Sequence, residues 1–309
     1  MKKRRIGTSD LIVSEVALGC MSLGTEKGKA LSLIDEAIDL GVNYLDTADL
    51  YDFGTNEEMV GEAIKNRRHD LIVATKGGNR FEKGKPGWDW DPSKTYIKEA
   101  VKQSLKRLQT DYIDLYQLHG GTIDDPIDET IEAFEELVEE GVIRYYGISS
   151  IRPNVIKEYA KKSNIVSVMM QYNLLDRRPE EWFSLLEEQS ISVVARGPLA
   201  KGLLTEKPLT NASASVQTNG YLSYSFEELQ RIIPSLKNVA YDLSLTELSI
   251  QYLLKQSTVS SVIFGASSPA QLKENVAAAN ARPLSDQEIK ALTYYTKQNV
   301  YETHRLKRT

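Results

Sequence analysis

The chain has 309 residues, of which 41% are hydrophobic and 26% are charged, a composition ordinary for a soluble globular protein. Its net charge of −5 at pH 7 argues against non-specific binding to nucleic acid or to acidic membranes. One cysteine, Cys20, excludes an internal disulfide, and no apolar run approaches the length of a membrane span. We therefore expect a cytoplasmic protein without nucleic-acid or membrane partners; its oligomeric state is not predicted.

Short apolar strands and amphipathic helices are predicted to alternate along most of the chain. Residues 3–14 form two extended runs around a Gly-Thr-Ser-Asp turn, a pattern typical of a β-hairpin. Eight strand-then-helix units follow, with strands predicted at 16–18, 42–46, 71–76, 113–119, 142–148, 165–170, 191–195 and 259–264. Helices are predicted at 30–38, 56–65, 97–108, 128–139 and 180–188, others begin near Pro153 and Pro269, and two fall within 200–258. Residues 77–92 are predicted to form a long polar loop.

The arrangement of these units favours one architecture over its main rival. The strands are continuous apolar runs, as parallel strands covered on both faces should be. Eight right-handed units favour a (β/α)8 TIM barrel, here with an N-terminal hairpin and extra C-terminal helices. A doubly wound open sheet would alternate similarly, but the Gly-x-Gly-x-x-Gly turn that usually follows its first strand is absent. We predict the barrel, with residues 1–309 as a single domain.

Three successive predicted strands end in ionisable residues. Asp46, Lys76 and His119 terminate the second, third and fourth strands, and Tyr51 lies on the loop after the second. In a barrel, the carboxyl ends of all strands face the same mouth, so these side chains should converge. Lowering the pKa of a phenol from about 10 to near 7 takes roughly 4 kcal/mol. An adjacent cation lowers such a pKa by about 1–3 units and can therefore supply much of this energy. Lys76 is therefore expected to make Tyr51 a general acid, with Asp46 offsetting the burial of the ammonium.

This set of groups predicts carbonyl chemistry. Tyr51 is expected to protonate a developing alkoxide while His119 hydrogen-bonds the same oxygen and orients the substrate. A pocket that protonates a carbonyl oxygen but offers no nucleophile for its carbon needs a hydride donor, which indicates a nicotinamide cofactor. The histidines at 69, 119 and 304 have no metal-ligand spacing, so no metal site is predicted.

Three segments, residues 43–51, the run ending at Lys76 and residues 111–119, together resemble the signatures of the aldo-keto reductase superfamily. The resemblance extends over nearly the whole chain, and the family's Asp-Tyr-Lys-His tetrad is matched in order. It implies an NAD(P)H-dependent reductase of aldehydes or ketones, with Tyr51 as proton donor, on a (β/α)8 barrel. The same chemistry run in reverse would make the protein an alcohol dehydrogenase.

The resemblance also implies a set of cofactor-binding positions. Arg196 stands where an aromatic commonly stacks on the nicotinamide, and a guanidinium plane can also stack on a ring. NADPH-selective members usually have Arg or Lys near 267, 268 or 271, which here are Ser, Ser and Gln, so NADP(H) is expected and NAD(H) is not excluded. The implied positions are Gly19, Cys20, Met21 and Asp46 beside the nicotinamide ribose, Ser149 and Gln171 at the carboxamide, Arg196, Gly197, Pro198, Leu199, Lys201 and Gly202 at the pyrophosphate, and Gly265, Ser267, Ser268, Gln271 and Asn275 at the adenosine phosphate.

Some interpretations stay open at this point. Trp88 and Trp90 on the 77–92 loop either wall an apolar substrate pocket or pack down onto the fold. Cys20 is interpreted as a small packed residue rather than a reactive thiol. Barrels resembling this one also serve as channel-associated subunits, so a cofactor-sensing binding module with little turnover is the alternative function.

Overall fold

The computed structural model describes residues 1–305, and its centre is a closed barrel of eight parallel strands. The strands are β1 (Lys3–Arg5), β2 (Ile12–Ser14), β3 (Val16–Gly19), β4 (Tyr44–Asp46), β5 (Ile72–Gly77), β6 (Asn79–Arg80), β7 (Asp89–Trp90), β8 (Ile113–Leu118), β9 (Ile143–Ser149), β10 (Ser167–Gln171), β11 (Ser192–Arg196) and β12 (Val259–Phe264). The barrel consists of β3 to β5 and β8 to β12, joined in the order β10-β11-β12-β3-β4-β5-β8-β9, while β1–β2 and β6–β7 form separate antiparallel hairpins.

Helices cover the outside of the barrel. The helices are α1 (Lys27–Asp39), α2 (Thr55–Ile64), α3 (Lys94–Leu108), α4 (Ile127–Glu139), α5 (Pro153–Lys162), α6 (Phe183–Glu188), α7 (Ala214–Asn219), α8 (Phe226–Lys237), α9 (Leu245–Leu254), α10 (Pro269–Ala279) and α11 (Asp286–Tyr295). Local signals mark their ends: α8, α9 and α11 are each preceded by a serine that caps the first turn reciprocally with a glutamate three residues later.

The predicted (β/α)8 barrel with its N-terminal hairpin is confirmed, but two connecting segments differ from the prediction. The 77–92 segment is not wholly loop, because β6 and β7 pair within it. Residues 200–258 contain three α-helices rather than two. A two-residue strand and a six-residue helix are too short to show a hydrophobic period, so neither had a detectable signal.

Two apolar layers hold the barrel together. A small inner cluster fills its interior, and a large outer cluster lies between the strands and the helices. Ile6, Leu11 and Val13 of the hairpin belong to the inner cluster, in which they join residues of several barrel strands. The hairpin therefore closes the end of the barrel where the strands begin, and the opposite end remains for ligands.

Arg4 ties this hairpin to the last strand–helix unit. Its guanidinium pairs with Glu15 at 2.8 Å, and it donates to the carbonyl oxygens of Leu254 at 2.7 Å and Val259 at 3.0 Å. Glu15 is buried, so Arg4 provides the charge that offsets its loss of hydration. The first strand and the last are thus fastened to each other directly.

The final described residues lie against the body of the protein. The backbone N–H of Asn154 donates to the carbonyl oxygen of His304, and Arg305 pairs with Glu181 at 2.5 Å. The sequence predicts a mobile tail at residues 304–309, and residues 306–309 lie outside the described part of the chain. No helix within residues 1–305 combines the length and the apolar character needed to cross a membrane.

Candidate active site

Three adjacent barrel strands bring four chemically active side chains to the same mouth. Asp46 is the last residue of β4, and Lys76 is the last but one of β5. His119 directly follows β8 rather than ending it, and its backbone N–H donates to the carbonyl oxygen of Gly77 at 2.8 Å. Tyr51 begins a 3₁₀ turn after β4. The convergence predicted from the strand ends is therefore present.

Lys76 is the centre of the cluster. Its Nζ donates to Asp46 Oδ2 at 2.7 Å, to the Thr47 carbonyl oxygen at 2.7 Å and to the Tyr51 hydroxyl at 3.3 Å. An ammonium has three hydrogens, so all its donors are used. The side chain is fully buried; burial lowers its pKa, but Asp46, with a smaller part from Tyr51, outweighs this and holds the pKa of Lys76 above its ordinary value. The result is a fixed cation beside a phenol.

His119 faces Tyr51 across the cavity. The two rings meet edge to face with centroids 5.8 Å apart. Burial, and then the positive charges of Lys76 and Arg196, lower the pKa of His119 to about 3. Its Nδ1 is buried with no hydrogen-bond partner, so the tautomer with the proton on Nε2 avoids an orphaned N–H. A neutral imidazole that donates from Nε2 is well suited to hold a carbonyl oxygen.

Further side chains orient these groups, although the sequence analysis did not single them out. Gln117 Nε2 lies 3.4 Å from Asp46 Oδ1. Thr47 donates to Asn56 Oδ1 at 2.7 Å, and Asn56 in turn donates to the Cys20 carbonyl oxygen at 2.9 Å. Gln117 precedes His119 by two residues, so strand alternation could have identified it as facing the same way.

Three cavities adjoin at this mouth. One of 450 Å³ contains Asp46, Tyr51 and His119 in its wall. It shares Gly197 and Gly265 with a 650 Å³ cavity beside α10, and it shares His119 and three other residues with a 380 Å³ cavity beside the tryptophan loop. Through these shared residues the cavities form one groove at the barrel mouth. Its middle part is lined by Asp46, Tyr51 and His119, while Lys76 is fully buried.

Most of the expected cofactor positions lie along this groove. The 450 Å³ cavity is lined by Gly19, Met21, Asp46, Ser149, Arg196, Gly197 and Gly265, and the 650 Å³ cavity by Gly197, Pro198, Leu199, Lys201, Gly202, Gly265, Gln271 and Asn275.

The other expected positions are Cys20, Gln171, Ser267 and Ser268, and none of them lines these two cavities. Cys20 is fully buried, with its thiol 3.7 Å from the Leu18 carbonyl oxygen, and burial raises the pKa of the thiol. This environment is that of a packed side chain and not of a reactive thiol.

Gln171 is held from both ends of its amide. Its Nε2 donates to Asp176 at 2.9 Å, and its Oε1 accepts from Arg196 at 3.2 Å. Gln171 therefore acts in this structure as the support that positions the Arg196 guanidinium at the groove.

The start of α10 is ordered by two serines. Ser267 donates to Gln271 Oε1 from both its backbone N–H and its hydroxyl, each at 3.0 Å. Ser268 caps the helix by accepting from the Gln271 N–H at 3.4 Å. The amide NH₂ of Gln271 is thereby the part of this side chain left to donate, beside a positive helix end.

The groove floor suits an elongated, phosphate-bearing ligand such as a nicotinamide dinucleotide. Gly265 and Gly19 present backbone without a side chain at this floor, and a Cβ on either would crowd a neighbouring side chain, Ser22 Oγ at 2.8 Å or Ile263 Cγ2 at 2.8 Å. Lys201 and Lys207 line the 650 Å³ cavity without a carboxylate partner in residues 1–305. Close backbone approach and unpaired cations are what a pyrophosphate needs.

The two tryptophans take different positions in the 380 Å³ cavity. Trp90 Nε1 donates to Asp125 at 3.0 Å, and its ring is close to Gly78 and Gly120. Trp88 is 54% exposed at the rim. Both line the cavity, so the packed and pocket-wall interpretations apply together to Trp90, while Trp88 is a rim residue.

Comparison with known proteins relates the chain to one family. The model of the Aldo/keto reductase family matches residues 15–296. The uncharacterized oxidoreductase YqkF of Bacillus subtilis (strain 168) is 72% identical over 305 residues, which are 99% of this chain and 100% of that protein. The NADH-specific methylglyoxal reductase of Escherichia coli (strain K12) is 32% identical, covering 93% of this chain and 95% of that protein. The holo form of aldo-keto reductase AKR11C1 from Bacillus halodurans has a TM-score of 0.95 at 62% identity, covering 99% of this chain and 100% of the other.

Proposed function

The chain belongs to the aldo/keto reductase family of oxidoreductases, and on that premise we propose that it reduces aldehydes or ketones with NADPH, using Tyr51 as proton donor. One observation carries the proposal: the buried Lys76 ammonium is hydrogen-bonded to Asp46 and to the Tyr51 hydroxyl, at the edge of a cavity faced by His119.

Each member of the cluster has a distinct task in this proposal. His119 donates from Nε2 to the substrate carbonyl oxygen and orients it. Tyr51 transfers its hydroxyl proton to that oxygen, and the Lys76 cation stabilises the phenolate that remains. Asp46 keeps Lys76 charged and fixed, and solvent returns a proton to Tyr51 after the product leaves. A bound nicotinamide cofactor supplies the hydride that reduces the carbonyl carbon.

The groove residues would hold the cofactor in the proposal. Gly19, Met21 and Ser149 would border the nicotinamide end, and Arg196 would stack its guanidinium plane there, supported by Gln171. The 197–202 segment would hold the pyrophosphate. Gln271 and Asn275 would contact the adenosine phosphate, with Ser267 and Ser268 acting by fixing Gln271. Cys20 would contribute only its backbone.

NADPH is proposed over NADH because of the charge at the adenosine end. Lys201 and Lys207 give the 650 Å³ cavity two cations, which suit the extra phosphate of NADPH. The same lining contains two carboxylates: Glu206 is already paired with Lys237, and Glu274 accepts from Thr246 Oγ1 at 2.7 Å. The relative in Escherichia coli is described as NADH-specific, so the preference needs a direct measurement.

The test compares the wild-type protein with Tyr51→Phe by titration with NADPH and NADH, followed through tryptophan fluorescence, and by turnover of an aromatic aldehyde. Wild-type protein should bind NADPH far more tightly than NADH. Tyr51→Phe should keep this binding and lose about 10²–10⁴-fold in turnover, because only the proton donor is removed. Tyr241→Phe, at a tyrosine that is 89% exposed, is the matched control and should leave both properties unchanged.

Three results would contradict parts of the proposal. Unchanged turnover in Tyr51→Phe would refute the role of Tyr51. Tighter binding of NADH would keep the reductase and overturn the cofactor choice. Binding of neither cofactor would refute the reductase and leave the barrel as a scaffold.

A further inference from the structure

The 380 Å³ cavity next to His119 is lined by two arginines, Arg152 and Arg196, and by no carboxylate of residues 1–305. Resting on the proposed reductase function, we propose that the preferred substrate is a carbonyl compound with a carboxylate at its far end, bound by Arg152 with the support of the Arg196 charge. None of the comparisons indicates such a specificity.

The cavity is placed to hold the part of a substrate that extends beyond its carbonyl. It shares His119, Ser149, Met169 and Arg196 with the 450 Å³ cavity, whose wall includes Tyr51. A carbonyl oxygen held between Tyr51 and His119 therefore leaves the remainder of the molecule with a direct path into this space.

Arg152 and Arg196 lack the carboxylate partner that most arginines of residues 1–305 have. Within residues 1–305, the arginines without a carboxylate at 4.0 Å or less are Arg5, Arg152, Arg196 and Arg231. Two of these four line one cavity at the candidate active site. Exposed arginines elsewhere are paired: Arg80 forms one ion pair and Arg282 forms two, so two arginines without a carboxylate partner in one cavity are not the general pattern of this surface.

Each guanidinium is positioned but keeps donors for a ligand. Arg152 donates from Nη1 to the Gly121 carbonyl oxygen, and Arg196 donates from Nη1 to Gln171 Oε1. A guanidinium has five N–H donors in a planar fork, so these bonds fix its direction and leave N–H groups for a carboxylate. Arg152 is half-buried, which strengthens its interaction with an anion.

No carboxylate of residues 1–305 forms an ion pair with either arginine. Asp46 is already paired with Lys76, and His119 is uncharged at neutral pH because burial, Lys76 and Arg196 lower its pKa to about 3. Asp125 lies behind the wall, where it accepts from Trp90 Nε1 at 3.0 Å and from Thr122 N and Oγ1 at 2.6 Å each. A bound anion can therefore pair with these arginines without displacing a carboxylate.

The remaining wall defines the middle of the substrate. Trp88, Trp90, Ile151 and Met169 are apolar or aromatic and lie in the lining with the arginines. A ligand that matches the cavity has a carbonyl at one end, an apolar spacer such as a benzene ring, and an anion at the other.

The experiment compares two aldehydes of nearly the same shape, anionic 4-carboxybenzaldehyde and its neutral methyl ester, methyl 4-formylbenzoate. In the wild-type protein, kcat/KM should favour the anion about tenfold or more, mainly through KM, because hydrogen bonds to charged groups are strong. Arg152→Gln should bring this ratio close to one, and Arg152→Lys should restore part of it. Arg231→Gln removes the same charge from an exposed unpaired arginine on α8 and should leave the ratio unchanged.

Binding of the two alcohol products, measured by calorimetry with NADP present, gives a readout independent of turnover. Tighter binding of 4-(hydroxymethyl)benzoate than of its methyl ester, lost in Arg152→Gln, supports the inference. Equal kcat/KM and equal binding in the wild-type protein, or a preference that persists in Arg152→Gln, overturns it. If neither aldehyde is reduced, the proposed function fails, while the binding comparison still decides the anion site.

Discussion

The imidazole of His119 makes the stability of the protein depend on pH. Its pKa is lowered to about 3 in the folded protein by burial, Lys76 and Arg196, and an unfolded histidine has a pKa near 6.5. Between these values the unfolded chain binds more protons, so stability is fully present above about pH 6.5 and is lost as the pH falls toward 3. We predict that unfolding free energy falls by up to about 2 kcal/mol from pH 7 to pH 5 because of His119 alone.

This prediction is tested by urea unfolding of wild-type protein and His119→Gln at pH 7 and pH 5. The variant should lose less stability over this interval, because an amide does not titrate. The difference between the two proteins isolates His119 from other titrating groups. The same pH dependence in both would show that His119 does not stay neutral in the folded state.

The predictability of the site differs from residue to residue. Asp46, Lys76 and His119 could be located from sequence because strand ends in a barrel converge by topology. Gln117 could have been found from strand alternation. Arg152 could not, because it precedes α5 in a connecting segment, and the direction of such a side chain depends on the path of the backbone and on its contact with Gly121.

Helix α3 ends with a strained backbone conformation at its C-terminal cap. Gln109, at its C-terminal cap, has φ of +52° and ψ of +45°, a left-handed conformation that costs a residue with a Cβ about 1–2 kcal/mol. Its side chain is exposed. We predict that Gln109→Gly stabilises the protein by about 0.5–1 kcal/mol, after the entropy cost of glycine is included. Chemical denaturation measures the change, with Gln109→Ala as the control that retains the strain and should give no gain.

Some elements can be predicted from sequence patterns and others cannot. The last barrel strand was predicted with the bounds observed, 259–264, because Val259, Val262, Ile263 and Phe264 are β-branched or aromatic residues, which are typical of strands. The β6–β7 hairpin was missed because its pairing depends on Asp91 bonding back to the Gly78 carbonyl oxygen and on Trp90 packing near Gly120. Such contacts are tertiary and leave no period in the sequence.

The bonds of Arg4 to Glu15, Leu254 and Val259, here called the Arg4 clamp, connect distant parts of the whole molecule. We therefore predict that a substitution of Arg4 lowers the unfolding free energy substantially. Arg4→Met removes the partner of buried Glu15 and the bonds to the last unit, so we expect a loss of about 3 kcal/mol in unfolding free energy. Arg5→Met is the matched control, since Arg5 is exposed and has no carboxylate partner within residues 1–305. A loss below about 1 kcal/mol, the scale of an exposed ion pair, would show that the clamp contributes little.

The same unfolding curves examine the domain organisation. The single domain over residues 1–309 stays a prediction, as does the cytoplasmic location inferred from one cysteine. A single domain should give coincident transitions by tryptophan fluorescence and by far-ultraviolet circular dichroism. Separate transitions would indicate that the hairpin and barrel unfold independently of the C-terminal helices.

The clamp also sets an order of events at the ribosome. Arg4 is made before its partners, because the Leu254 and Val259 carbonyls that it binds follow 250 and 255 residues later. At roughly 5–20 residues per second, about 12–50 s of synthesis separates the partners. Until then Arg4 lacks the two carbonyl oxygens that it binds, and one edge of β3 lacks its partner strand β12. The nascent chain must therefore keep the open edge of β3, its first barrel strand, from pairing with other chains until β12 has been made.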